Sequence, residues 1–254
     1  LLVGAAVAPA FIFPALMGKM FVDSISRAKQ VSMFVPPKGA GEVGDETAST
    51  EGGGGGGGRA AGGKVTDAKC SSADLGGKVN WVIKQNSGPW ADDNLPKGCN
   101  FAQAACGPTS VSKALINKYP TLNPREVVYE PGSPYLSMGC DGSSINQAAK
   151  FLQKYLGSDA VTYNGLSRGC DKKAIANALC DGGIVLMLGN FYFNDNGASG
   201  GHFALAVKFN DGEVYLSDPY YNDGGGSEPQ MDGQVKRGHV QSIRACLVVD
   251  GDKL

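Results

Sequence analysis

The sequence has little of several features that would point to other functions. It contains only two histidines, and its cysteines form no Cys-x-x-Cys pair, which argues against the common zinc-binding patterns. Its 23 basic and 24 acidic side chains nearly cancel, and no basic patch indicates binding to nucleic acid. We therefore expect a protein that needs no metal or organic cofactor and has no nucleic-acid partner.

Charged residues are absent from Leu1 to Met17, and basic residues follow shortly afterwards. This pattern predicts a truncated transmembrane or signal-anchor segment at residues 1–22, with a cleaved secretory signal as the alternative. Residues 23–65 are interpreted as a juxtamembrane and Gly-rich flexible linker, because a run of seven glycines at 52–58 buries little apolar surface. Residues 66–254 form the predicted folded domain.

All seven cysteines lie in this predicted domain. Six partners and one remaining thiol predict three disulfides and one free cysteine, and hence an oxidising compartment. The alternative is that the cysteines are buried thiols in a reducing cytoplasm. The basic residues after the apolar run also favour a cytoplasmic location for the chain that follows. On the cysteines, we expect an extracytoplasmic domain that is membrane-anchored, or secreted if the N-terminal segment is cleaved. The six presumed partners are Cys70, Cys99, Cys140, Cys170, Cys180 and Cys246.

Hydrophobic periodicity predicts helices first and strands afterwards, which is the order of an α+β fold. A short strand at Val79–Lys84 is expected before the helices. The predicted helices begin at Cys106, Asn123, Ser144 and Asp171. Ile184–Leu188 is expected to be a buried strand, and 202–209 and 213–218 to form a hairpin around a three-residue loop at 210–212.

Cys106 stands at the start of a predicted helix, in the string Ala105-Cys106-Gly107-Pro108. The unpaired N–H groups and the positive dipole end of a helix N-terminus favour the thiolate, which is the nucleophilic form. Gly107 is expected to leave the thiol uncrowded, so that a substrate backbone can come close. The Cys-Gly pair fits half of a disulfide equally well, so the interpretation requires a base.

Only two histidines can supply that base. With a three-residue loop, Ala204 lies opposite Asp218, so His202 and Asp218 share a sheet face one diagonal step apart. Asp218 would then orient the imidazole and stabilise its cation. A two-residue loop would put the two side chains on opposite faces, so the pairing depends on register. His239 lies in a polar stretch without an acid on a following strand and is interpreted as a lone surface histidine.

Three strings together resemble a known family: Cys-Gly-Pro-Thr-Ser at 106–110, Gly-His-Phe-Ala-Leu-Ala-Val at 201–207, and Tyr-Leu-Ser-Asp-Pro at 215–219. They resemble the papain-like cysteine peptidases related to the double-glycine leader (bacteriocin-processing) peptidases, over about 79–221. The resemblance implies a papain-like fold, in which a helical part led by the cysteine helix packs on an antiparallel sheet carrying His and Asp. Exporter members of that family place the peptidase before their membrane spans in the cytosol, so exporter function is not carried over to this cysteine-rich domain.

The resemblance also implies a glutamine upstream of the cysteine that donates to the oxyanion. Gln85, in a Gln-x-x-x-Pro-Trp context, matches that position best, while Asn100 and Gln103 lie closer to the cysteine in sequence and stay open. The implied catalytic set is thus Cys106, His202, Asp218 and Gln85.

This set implies a thiol peptidase that hydrolyses peptide bonds through a thioester intermediate, with a peptide or protein as substrate. The same chemistry acting on peptidoglycan peptides, as an amidase or transpeptidase, is a second hypothesis that suits an outward-facing tethered domain. A catalytically silent, disulfide-braced binding module is the third. In each case contact with a membrane is expected through the N-terminal segment.

Overall fold

An antiparallel sheet forms the centre of the fold. The computed structural model describes residues 59, 60, 62–164, 170–221 and 228–254, so the predictions for residues 1–58 lie outside the described residues. Along the main path the strand order is β1-β7-β4-β5-β2, while β3 also pairs with β7 and β6 with β5. The strands are β1 Arg59–Ala60, β2 Ser72–Asp74, β3 Val161–Asn164, β4 Gly183–Tyr192, β5 Ser199–Asn210, β6 Glu213–Ser217 and β7 Val240–Asp250.

Four of the described α-helices fall at the predicted places, while the short helix at Phe101–Ala104 was not predicted. Local capping explains where three of the four begin. Asn123, Ser144 and Asp171 each accept hydrogen bonds from backbone N–H groups in the first turn of the helix that follows. The fold class is therefore α+β with an antiparallel sheet. The α-helices are α1 Phe101–Ala104, α2 Cys106–Leu115, α3 Pro124–Tyr129, α4 Ile145–Leu156 and α5 Lys172–Cys180; short 3₁₀ turns occupy Gly76–Lys78, Pro134–Ser137, Ser158–Ala160 and Gly251–Lys253.

Both faces of the central strands are buried, which explains the uninterrupted apolar run in β5. Phe203 and Leu205 pack into one hydrophobic cluster with residues of α2 and α4. Ala204 and Ala206, on the opposite face, pack into a second cluster with residues of α5. Because alternate side chains of a strand point to opposite faces, a strand covered on both sides shows no polar alternation.

The β5–β6 hairpin differs from its predicted register in a way that matters for the site. Asn210 pairs with Glu213, so the loop has two residues rather than three, and both of them, Asp211 and Gly212, have positive φ angles of 52° and 79°. Such angles suit the tight turn that matches strand twist. The predicted three-residue loop is therefore wrong.

A β-bulge in β5 cancels the effect of this shorter loop. Lys208 pairs with Tyr215 and Ala206 with Leu216, so one extra residue, Val207, stands in β5. A bulge shifts the register of all following pairs by one residue. Leu205 consequently pairs with Ser217, which is the register that the sequence analysis expected at this end of the hairpin.

Residues 79–84 do not form the predicted strand. The backbone N–H of Asn80 donates to the Lys113 carbonyl of α2, and the Lys113 ammonium donates to the carbonyls of Trp81 and Ile83. Contacts with one helix residue thus take the place of a strand ladder in this segment. The side chain of Val82 projects outwards and is 86% exposed.

The last residues of the predicted linker pair with the domain. Arg59–Ala60 form a two-residue strand against Ser242 and Ile243 of β7, and the N–H of Val65 donates to the Gly212 carbonyl. Among the described residues, no helix is both long and apolar enough to cross a membrane.

Six cysteines pair into three disulfides and Cys106 is free, as predicted. One disulfide joins Cys99, just before α1, to Cys140. The other two lie by α5: Cys70–Cys180 ties a loop to its last residue, and Cys170–Cys246 ties the approach to α5 to β7.

The cysteine pairing predicts the outcome of alkylation and mutation. Unreduced protein should take up one alkyl group per chain, at Cys106. Replacing Cys99 and Cys140 together by Ala should lower the free energy of unfolding by about 2–4 kcal/mol, because the cross-link restrains the unfolded chain. Cys106→Ala is the control and should change it by less than about 1 kcal/mol. Mass spectrometry counts the alkylated thiols, and urea denaturation measures the free energy of unfolding. Four or more alkylatable thiols would contradict the pairing.

Candidate active site

Cys106 is the first residue of α2 and the one cysteine without a disulfide. Its side chain is half-buried, whereas the following residues of the helix are buried. The packing requires a glycine at position 107, because a Cβ here would lie 2.0 Å from Ser143 Oγ and 3.5 Å from the Phe203 ring. Gly107 therefore allows α2 to approach the 139–143 segment and β5.

His202 and Asp218 form a buried hydrogen-bonded pair. The distance from His202 Nε2 to Asp218 Oδ1 is 2.9 Å, and both side chains are almost completely inaccessible to solvent. The bulge at Val207 makes this pairing possible, because Asp218 directly follows Ser217, the partner of Leu205. The Phe191 ring packs edge-on against the imidazole at a centroid distance of 4.9 Å.

Asp218 Oδ1 is the acceptor of three hydrogen bonds. Besides His202, the backbone N–H groups of Tyr220 and Tyr221 donate to it over 2.6 and 2.9 Å. Burial acts to raise the pKa of Asp218, but the His202 charge, its hydrogen bond and these two N–H groups lower it below its usual value. Asp218 is therefore an anion at neutral pH, and His202 Nε2 donates to it.

Cys106 as well as Asp218 acts on the pKa of His202. Burial lowers the pKa of His202, but the charge and hydrogen bond of Asp218, followed by the hydrogen bond and charge of Cys106, raise it from 6.5 to about 10. Since Nε2 faces Asp218, Nδ1 is the ring nitrogen available to Cys106. Asp218 thus holds one ring nitrogen of His202, and Cys106 is a further group that raises the pKa of the imidazole.

Gln85 is buried, and its side chain reaches α1, the helix that precedes Cys106. Its side-chain Nε2 donates to the Ala102 carbonyl over 3.0 Å, and its backbone N–H donates to the Pro219 carbonyl, the residue after Asp218. Its buried Oε1 has no hydrogen-bond partner among the described residues. One Nε2 hydrogen accounts for the bond to Ala102, so an amide at this position retains a second donor.

Asn100 and Gln103, the two alternatives to Gln85, have a structural role in α1. Asn100 accepts from the Gln103 N–H, and the Gln103 side chain accepts from the Asn100 N–H, which is a reciprocal capping box. Gln103 is also exposed. Of the three candidate amides, Gln85 is therefore the one favoured as an oxyanion donor, because it is buried and takes no part in the capping box.

Two buried lysines that the sequence analysis did not single out fix the Gln85 segment. Lys113 Nζ, on α2, donates to the carbonyls of Trp81 and Ile83 over 3.1 Å each. Lys84 Nζ donates to the Asp218 carbonyl over 3.2 Å. The only sequence signal for Lys113 is its place among apolar helix positions, which is weak because lysine is rarely buried.

Tyr220 and Tyr221 were also missed, although they directly follow the Asp218-Pro219 pair. The Tyr221 ring contacts the His202 ring edge-on at a centroid distance of 5.6 Å, and Tyr220 packs on Tyr221 at 4.8 Å. Burial and the charge of Asp218 raise the pKa of Tyr221. Tyr221 therefore presents a neutral aromatic ring to the imidazole, and Tyr220 packs on that ring.

His239 is not the lone surface histidine that the sequence analysis expected. It is buried, with 3% exposure, and its Nδ1 lies 3.0 Å from Asp232 Oδ1. Asp232 precedes His239 in the chain. The backbone between them forms a tight turn, in which the His239 N–H donates to the Lys236 carbonyl. Cys106 contributes to the pKa of the other histidine, His202.

No known protein-family model matches this chain, and no curated protein is significantly similar to it. Among the residues that the structure describes, no cluster of three or more His, Cys, Asp or Glu side chains could hold a metal ion.

The effect of Cys106 on the pKa of His202 predicts a change in the histidine titration. Cys106→Ala should lower the pKa of His202 from about 10, because the thiol raises it through a hydrogen bond and through charge. Asp218→Asn should lower it further, since the Asp218 charge is the largest raising influence. NMR titration of the imidazole resonances measures this, and a His239→Gln variant assigns them. A His202 pKa that is the same with and without the thiol would contradict this effect.

The shifted pKa values also predict how stability depends on pH. The His202 pKa is raised above 6.5, so its contribution is complete below about pH 6.5 and is lost as pH rises towards 10. The Asp218 pKa is lowered below 3.8, so its contribution is present above about pH 4 and is lost in acid.

The difference in free energy of unfolding between wild type and Asp218→Asn should therefore be largest between about pH 4 and 6.5 and should shrink on both sides. Denaturant unfolding at a series of pH values measures it. A difference that stays constant from pH 3 to 10 would mean that the pair does not titrate as described.

Proposed function

We propose that this protein is a papain-like thiol peptidase that hydrolyses peptide bonds with Cys106 as nucleophile. The observation that carries the proposal is the buried pair in which Asp218 holds Nε2 of His202, an imidazole whose pKa Cys106 also raises. A nucleophile, a proton carrier and an orienting acid in this order are the parts that acyl transfer requires.

The state of the seven cysteines supports Cys106 as the nucleophile. The six others are joined in disulfides, so they have no thiol to react. Cys106 starts a helix of ten residues, where backbone N–H groups without helix partners favour negative charge. With a pKa of about 10, His202 carries a proton at neutral pH and provides the cation that accompanies a thiolate.

The first half of the reaction forms a thioester. The Cys106 sulfur attacks the peptide carbonyl carbon, the C–N bond breaks, and the His202 proton passes to the departing amine. In the second half, water adds to the thioester carbon and gives a proton to His202. The C–S bond then breaks and the acid product leaves, which regenerates the resting pair.

Gln85 and the backbone N–H of Cys106 are the proposed donors to the oxyanion. Gln85 is held from both sides: its side chain bonds to Ala102 of α1, and its backbone bonds to Pro219. A donor fixed before the reaction costs no reorganisation when charge develops on the carbonyl oxygen. Lys113 contributes indirectly by fixing residues 81–83 against the helix that begins with Cys106.

The papain-like fold and the family resemblance belong to the same proposal. The cysteine helix α2 packs on β5, which carries His202, and Asp218 follows the neighbouring strand β6. This arrangement is compatible with the fold that the three sequence strings imply. The three disulfides support an extracytoplasmic location, and attachment to a membrane through residues 1–22 stays a prediction.

The proposed roles predict an order of activity among variants. Turnover should fall in the order wild type, Asp218→Asn, Asp218→Ala, His202→Ala, with Cys106→Ala inactive. An asparagine oxygen can still accept from His202, Tyr220 and Tyr221, so the ring stays positioned although its cation is less stabilised. Gln85→Ala should lower kcat by about 10²–10³-fold, as loss of an oxyanion donor does. Hydrolysis of a fluorogenic peptide library measures these values.

Matched variants make this test specific. His239→Ala and Gln103→Ala should keep near-full turnover, because neither side chain belongs to the proposed set. If His239→Ala were inactive while His202→Ala hydrolysed normally, the assignment would be wrong. A folded wild type that cleaves no peptide and whose Cys106 reacts no faster than free cysteine would indicate a binding module instead.

A further inference from the structure

Arg237 lies one aromatic ring away from the imidazole of the candidate site. Its guanidinium carbon is 5.3 Å from the centroid of the Tyr221 ring, and the edge of that ring packs on His202. The distance between the Tyr221 and His202 ring centroids is 5.6 Å. A cation placed over an aromatic ring is attracted by it, and a stacked guanidinium keeps its N–H donors directed away from the ring.

Backbone contacts fix the position of Arg237. Its N–H donates to Asp195 Oδ1 over 2.8 Å, and the N–H of the next residue, Gly238, donates to the Tyr192 carbonyl. Gly238 has a φ of +82°, and a Cβ there would lie 2.8 Å from the Tyr221 Cβ. A glycine at 238 thus lets the chain pass close enough to Tyr221 for Arg237 to cover its ring.

In the part of the chain that the structure describes, Arg237 forms no ion pair. The neighbouring charges are used: Lys236 pairs with Glu228 at 2.6 Å, and Asp232 bonds to His239. The Asp195 carboxylate accepts from the backbone of Arg237. Arg237 is exposed, and its charge reaches the site, because it lowers the pKa of Tyr221 against the larger raising effects of burial and Asp218.

The position of Arg237 assigns it to one side of the scissile bond. His202 gives its proton to the departing amine, so the leaving part of the substrate begins at the imidazole. Tyr221 and Arg237 follow from the imidazole in turn, because the Tyr221 ring packs on His202 and the Arg237 guanidinium lies over the Tyr221 ring. An extended peptide advances about 3.3 Å per residue, so Arg237 is within reach of the first three or so leaving residues.

We infer that Arg237 binds a carboxylate in the leaving part of a peptide substrate and makes the enzyme selective for such peptides. The inference rests on the proposed function and adds the substrate class to it. Guanidinium and carboxylate form paired, charge-assisted hydrogen bonds, which is the recognition that an arginine without an ion-pair partner can offer. The carboxylate can belong to an Asp or Glu side chain or to a free C-terminus close to the cleaved bond.

Matched fluorogenic peptides test the inference and separate these two sources. One arm places Glu or Gln at each of the first three leaving positions in turn; the other ends a short leaving part in a free acid or an amide. Wild type should cleave an acidic peptide of at least one arm with about tenfold higher kcat/KM than its neutral match. Added salt should reduce this preference, because Arg237 is exposed.

Variants at Arg237 should change the preference between acidic and neutral peptides. Arg237→Gln is expected to abolish the preference, and Arg237→Glu to reverse it in favour of a lysine at the same position. Lys236→Gln is the matched control, an exposed neighbouring cation that already has an acid partner, and should keep the wild-type preference.

The possible outcomes separate the inference from the proposed function. Equal cleavage of acidic and neutral peptides by wild type, or an unchanged preference in Arg237→Gln, would overturn the inference while the peptidase activity stands. Absence of cleavage of every peptide by folded wild type with an intact Cys106 thiol would overturn both. A preference seen only with the free-acid arm would identify the C-terminal carboxylate as the ligand.

Discussion

The hydrogen bond between His202 and Asp218 is the interaction on which the candidate site depends. A carboxylate with no exposed surface is costly to keep ionised unless positive charge and N–H donors surround it. His202 supplies the charge, and the N–H groups of Tyr220 and Tyr221 supply two further bonds to the same oxygen. The chain after β6 must therefore turn at Pro219, and that turn places the Tyr221 ring beside the imidazole.

The helix α2 organises the other half of the site. Cys106 stands at its first residue, and Lys113, two turns later, holds residues 81–83 through two carbonyls. Gln85 follows that segment and bonds on both sides, to α1 and to Pro219. One helix thus fixes the thiol directly and the proposed oxyanion donor indirectly. This dependence explains why a lysine, which is rarely buried, has no exposed surface here.

The hairpin illustrates how a correct pairing can follow from an incorrect local prediction. In a regular hairpin, an odd number of loop residues brings His202 and Asp218 to one face, and the loop predicted at 210–212 contained the extra residue. The structure has a two-residue turn and carries the extra residue at Val207 inside β5. Sequence patterns locate the strands, but they do not distinguish a longer loop from a bulge, because both shift the register by one residue.

The sequence by itself determined the features that depend on local chemistry. Capping residues and apolar periodicity located the helices at Cys106, Asn123, Ser144 and Asp171, and the odd cysteine count predicted one free thiol. The tertiary structure decided which groups meet: the bulge that joins His202 to Asp218, the buried Lys113, and the placement of Arg237 over Tyr221. These contacts join segments far apart in the chain, and they depend on packing and register, which no local pattern encodes.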